Sequence, residues 1–265
     1  MSISMRKTAL AVAACAALSA GSAVAAPVFT VNTGSLPGVV NKTFKADFMS
    51  GFSSELLHLS GNNAVGDGWV QFTSFKNGAT AILPGVSRLG VDYQLYLTFH
   101  LDDTLVSGTA GTAGAVYQLN ALTFTLWADT DLDTSFVNAD ASTATEASVD
   151  QGSADIALAT GSLVVGVAGF NTLGGVFQNA LTTFTLTAAG QSYFVNPVPF
   201  YTMAFDEFNN TTQGLTFNAT GTLAAITNAS GGVDFNGTTV PEPTSLTLLG
   251  LGLAGLGALR KRKTA

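Results

Sequence analysis

The segment Tyr93–Leu101, YQLYLTFHL, alternates without interruption. Tyr93, Leu95, Leu97, Phe99 and Leu101 fall on one side of an extended chain, and Gln94, Tyr96, Thr98 and His100 on the other. Successive strand side chains point to opposite faces, so this segment separates apolar from polar groups as a β-strand and scatters them as a helix. ALTFTLW repeats the scheme, with Leu122, Phe124 and Leu126 against Thr123, Thr125 and Trp127. TTFTLT does so again, with Phe184 and Leu186 against Thr183, Thr185 and Thr187. WVQFTSF, GSLVVGVAGF, FYTMAF, LTFNATG and GTLAAIT are further strand candidates, and 29 glycines with Asn/Asp/Ser clusters supply turns between them. DFMSGFSSELLHLSG, residues 47–61, is the one stretch before the C-terminal tail with helical character. These patterns predict an all-β chain: a single antiparallel β-sandwich, jelly-roll-like in topology, over residues 26–239. NALTFTL from Asn120 and NALTTFTL from Asn179 echo each other with one Thr inserted, and read as equivalent strands in two halves of that sandwich.

The N-terminus reads differently. Arg6 and Lys7 precede the apolar run TALAVAACAALSA, and Ala23 and Ala25 occupy the −3 and −1 positions of a small-residue cleavage site. This is the pattern of a secretory signal peptide over residues 1–25, with Ala26 opening the mature chain and the Sec translocon as its route. The rival reading, a lipoprotein box at Val12–Cys15, leaves a short apolar run. Cys15 is the only cysteine and leaves with the signal peptide, so the exported domain has no disulfide; at this size a core forms without one.

Charge narrows the partners. Between Ala26 and Thr239 only Lys42, Lys45, Lys76 and Arg88 are basic, against sixteen acidic residues, a net charge of −12. No basic residue occurs from Leu89 to Leu259. Phosphate binding needs clustered cations, so nucleic acid is excluded as a partner. Six N-x-S/T sequons, at Asn41, Asn209, Asn210, Asn218, Asn228 and Asn236, read as turn and strand-end composition.

Catalytic chemistry has few candidates. The mature chain has two histidines, His58 and His100, and lacks a G-x-S-x-G elbow. His100 lies on a polar strand phase, followed by Asp102 and Asp103. The expectation is that the protein is not an enzyme and has no catalytic residues; a carbohydrate-active enzyme with an acidic pair is the alternative. The richest constellation is WADTDLDTSFVNAD, where Asp129, Asp131 and Asp133 alternate and Asp140 follows Asp129 by eleven positions. Calcium loops place oxygens in this way, but here Thr134 stands where an EF-hand has Gly and Asp140 where it has Glu. The four aspartates are therefore a candidate for a looser Ca²⁺ site, the one cofactor considered, or else a solvated acidic loop. Trp69 and Trp127 fall on polar strand phases and are candidates for carbohydrate contact, unless a loop covers them.

The tail completes the reading. Residues 240–265 hold Val240, Pro241, Glu242 and Pro243, a Leu/Gly run, and the basic end Arg260, Lys261, Arg262 and Lys263. Thr244–Leu259 reaches roughly 24 Å as a helix, short of the about 30 Å hydrocarbon core of a bilayer. Such a span suits a transient inner-membrane anchor, with the basic end held in the cytoplasm. This combination resembles the PEP-CTERM sorting tail of Gram-negative bacteria, also labelled an ice-binding protein C-terminus. The resemblance implies processing by an exosortase near the Pro-Glu-Pro triplet and delivery to the cell surface or extracellular matrix. The body is similar, more loosely, to flocculation-associated PEP-CTERM proteins in FKADFMSGFSSELLHL, YQLYLTF, LWADTDLDT and LTAAGQSYFVNPVPFY. That similarity implies adhesion to exopolysaccharide in flocs or biofilm. A periplasmic domain anchored permanently by an uncut helix is a further alternative.

Overall fold

A computed structural model describes residues 27–173, 175–210 and 214–236. The expected signal peptide and its cleavage residues Ala23, Ala25 and Ala26 lie outside the described residues, as does the tail with Val240–Pro243 and Arg260–Lys263. Among the described residues no helix is long and apolar enough to cross a membrane.

Eight long strands carry the fold: β1 (Phe48–Ser60), β2 (Asn63–Asn77), β3 (Gln94–Ser107), β4 (Val116–Asp129), β5 (Asp155–Phe170), β6 (Val176–Thr183), β7 (Met203–Asn210) and β8 (Leu223–Asn236). Each pairs antiparallel with the next in sequence, and β8 returns to pair with β1, for example Ala224 with Leu57 and Val233 with Met49. The ring therefore closes as an up-and-down barrel. The all-β antiparallel expectation holds, and one apolar interior lies between facing strands as in a sandwich. The jelly-roll order does not hold, because every neighbour in the ring except the closing β8–β1 pair is also a neighbour in sequence. Closure removes the unpaired edges that an open sheet exposes.

The sequence echo has a different origin from two sandwich halves. Its copies flank β5 on either side: Ala159 pairs with Leu126 of β4 and with Leu186, and Thr160 with Thr125 and Thr185. Their phenylalanines, Phe124 and Phe184, both point inward, with ring centroids 6.2 Å apart.

The predicted strand phases are those observed. Leu95, Leu97 and Leu101 of β3 and Leu122, Phe124 and Leu126 of β4 are buried, while Thr123 is exposed and Thr125 half-exposed. Polar groups outside and hydrocarbon inside is the reverse of the pattern that a lipid-embedded barrel requires. One end is stoppered by a three-stranded sheet of Phe194–Asn196, Phe29–Asn32 and Thr43–Ala46. Phe29 meets Phe235 edge-on at 5.0 Å, and Phe194, Phe200 and Phe184 complete an aromatic plug. The N-terminal segment is held by Asp92, which accepts from the Val40 amide and from the Arg88 guanidinium.

The connection between β4 and β5, residues 130–154, folds back over the outside of the barrel. Its short hairpin, Ser135–Val137 with Ser148–Asp150, lays Phe136 against Trp69 and Tyr96, and with Ala139, Ala141 and Ala147 it covers Leu56 and Ala225. This second core explains why residues 47–61 form a strand and not the helix their pattern suggests. β1 is buried on both faces, Glu55 and Leu57 within the barrel and Ser54 and Leu56 beneath the connection, so no clean alternation marks it.

Candidate functional site

Three carboxyl groups face the barrel interior: Glu55 from β1, Asp103 from β3 and Asp206 from β7. They line a cavity offering about 50 Å³ to the centres of water molecules, with Val70, Leu97, Phe99 and Phe208 among its walls. Gly68, paired with both Glu55 and Phe99, makes room for those two side chains; a β-carbon there would strike the Phe99 ring, the Ser54 carbonyl and the Glu55 side chain. Among the described residues neither Glu55 nor Asp103 accepts a hydrogen bond, and Asp103 Oδ1 is fully buried without a partner. Burial pushes Glu55 up to about 8, with the nearby Asp103 adding to it. Burial likewise raises Asp103 to about 7, with help from Asp102. Asp206 also rises to about 7, chiefly by burial, against a stabilising bond from Thr182 and with repulsion from Asp234. In hydrocarbon a carboxyl without donors is held neutral.

This site was not among the sequence-predicted residues, although one signal pointed to it. The apolar phase of β3, extended two residues beyond Leu101, lands on Asp103. Glu55 shares its phase with Met49, Ser53 and Leu57. His100 is on the opposite face, half-exposed, with Nδ1 at 2.8 Å from Asp67 and Nε2 at 3.9 Å from Asp102. It therefore belongs to the outer surface, apart from Asp103.

The acidic loop is only partly assembled as predicted. Asp129, Asp131 and Asp133 bring one carboxylate oxygen each within 4.8 Å of one another. Asp140 is not in that group: it closes its own turn, accepting from the Ser142 amide at 2.8 Å and its hydroxyl at 2.7 Å. Asp129 is fully buried, and its two oxygens accept from the amides of Asp131, Leu132 and Thr134 and from the Gln94 side chain. Burial is the largest single influence on it and pushes upward, but these donors together hold it below the usual carboxylate range. On Asp131 the hydrogen bond from Ser153 pulls down most strongly, yet burial and the neighbouring Asp129 and Asp133 carry it upward. Asp129 thus spends its acceptors on its own turn, leaving Asp131 and Asp133 as the exposed members.

The tryptophans divide. Trp69 is 2% exposed, packed between Phe52 and Phe136, and its indole N–H donates to the Val137 carbonyl at 2.8 Å. The expectation that it meets carbohydrate is therefore corrected: the β4–β5 connection covers it. Trp127 is half-buried on the outer wall, donating to Thr98 at 3.2 Å, and keeps part of its ring accessible.

Residues 239–263 match the PEP-CTERM protein-sorting motif. The chain thus carries a PEP-CTERM sorting motif at its C-terminal end, and the motif implies processing by an exosortase and export to the cell envelope or surface. No curated protein and no solved structure matches the chain.

Proposed function

We propose that the barrel is a non-enzymatic adhesion protein of the cell surface or extracellular matrix, promoting flocculation or biofilm formation by holding exopolysaccharide. The observation that carries this reading is the sorting motif attached to a closed, acidic barrel whose outer wall is rich in Thr, Ser and Asn. Trp127, with the adjoining Thr98 and Thr125, offers an aromatic surface edged by hydroxyls, suited to a sugar ring. Asp131 and Asp133 are the groups through which Ca²⁺ would link acidic polymer to the protein. The cell would be Gram-negative, with the inner membrane as a transient stop after the Sec translocon.

Deleting Val240–Ala265 is expected to leave the protein exported but mislocalised, and to reduce cell aggregation; unchanged aggregation overturns the reading. A polysaccharide pull-down with and without chelator, scored also for sugar release, separates adhesion from hydrolysis. Trp127→Ala is expected to weaken the pull-down about fivefold, since stacking on an exposed ring contributes roughly 1 kcal/mol.

A further inference from the structure

The buried carboxyls inside the barrel lack a counterpart. Glu55 and Asp103 come from strands separated only by β2 and line one cavity; Gly68 of β2 lies between Glu55 and Phe99, and Asp103 pairs with Ala64 four residues further along that strand. Asp103 Oδ1 is fully buried and unpartnered, and the Asp103 residue lines the cavity. No Lys or Arg lines that cavity, and none occurs in the sequence from Leu89 to Leu259. Burying two acids against hydrocarbon with no donor is costly, and replacing them by apolar residues of like volume would relieve it. The arrangement is complementary to a positive charge brought from outside.

The rest of the wall selects which cation. A hard divalent ion needs six or more oxygens, whereas Val70, Leu97, Phe99, Leu122 and Phe124 present carbon. The space, about 50 Å³ for water centres, holds a few heavy atoms. Half-buried Ala168, Phe177 and Gln178 mark where the cavity nears the surface along β5 and β6. We propose that the barrel interior is a binding site for a small organic cation, a primary ammonium on an apolar body of a few carbons, with its charged end held between Glu55 and Asp103.

Binding is linked to protons in a defined direction. Other titratable groups facing the interior are Asp206 of β7 and Tyr117 of β4, whose hydroxyl accepts from the Gly111 amide. The remaining walls, from β2, β5, β6 and β8, contribute no titratable group to the cavity. Asp102 beside Asp103 and Asp234 beside Asp206 are the charged neighbours. Below the raised pKa values the acids are neutral, and an arriving ammonium ion displaces a proton. Affinity therefore rises with pH until the amine itself deprotonates.

The test is calorimetric titration of the full chain with n-butylammonium chloride, and in parallel with 1-butanol and CaCl₂. The expected result is one-to-one binding of butylammonium, release of about one proton at neutral pH, and affinity several-fold higher at pH 8 than at pH 6. Glu55→Gln and Asp103→Asn, which mimic the neutral acids in shape, are each expected to weaken binding at least tenfold. Should a variant fail to fold, infrared spectra of the unaltered protein still decide: the protonated-carboxyl band is expected to fade as butylammonium is added. Butanol binding as tightly as butylammonium, no heat up to about 10 mM, an unchanged infrared band, or Ca²⁺ displacing the amine would each overturn the proposal.

Discussion

Asp129 and Glu55 are both buried acids on long strands of one barrel, yet their protonation is pushed in opposite directions. Asp129 sits where β4 leaves the barrel, and three backbone amides and Gln94 converge on it. Glu55 sits mid-strand on the inner wall, where every backbone N–H is already committed to a neighbouring strand, so no donor reaches it. Burial acts upward on both; the supply of donors decides the net direction. A loop can turn its amides toward a carboxylate, whereas a closed sheet cannot.

The sharpest way to break this contrast is to remove the acceptor that organises the loop. Asp129→Ala leaves the amides of Asp131, Leu132 and the buried Thr134 without the carboxylate that gathers them, and is expected to cost about 4 kcal/mol of stability, read by chemical denaturation. A loss below about 1 kcal/mol would mean that the loop holds itself without the carboxylate.

The inner acid predicts the opposite sign. Glu55 rises from 4.5 to about 8, so between those values the folded chain keeps a proton that the unfolded chain has released. Stability therefore falls as pH climbs through that window. Glu55→Gln removes this slope, and is expected to stabilise the barrel by about 3 kcal/mol at pH 8 with little change at pH 4. Equal melting shifts at both pH values would show that the acid is not protonated in the fold.

The smallest effect is expected at the exposed edge of the loop. Asp131→Asn removes repulsion with Asp129 and Asp133 but also alters the bond from Ser153. Its melting temperature should match that of the unaltered chain at high salt and rise slightly at low salt. A marked drop would place Asp131 alongside Asp129 as an organiser of the turn.

Much of this was legible in the sequence. Strand phases such as Leu95–Leu101 against Gln94–His100 follow from local alternation, and the tail announces sorting through a contiguous motif. The acidic, cysteine-free composition of the exported body needs only counting. What local pattern misjudged was β1, because its outer face is covered by residues 130–154, and Trp69, whose polar phase gave no sign of that cover. The Asp129 cluster was visible as alternating aspartates, but the departure of Asp140 to its own turn was not.

The tertiary structure alone decided three things: that β8 closes the ring on β1, that Trp69 is interior to a second core, and that Glu55 and Asp103 share one cavity. Each joins residues far apart in the chain, and alternation records which face a side chain takes but not what stands opposite it. The sequence by itself determined the strands, the charge and the sorting tail, because those depend on neighbours within a few residues. Burial and pairing across the barrel are collective, so they exist only once the ring has closed.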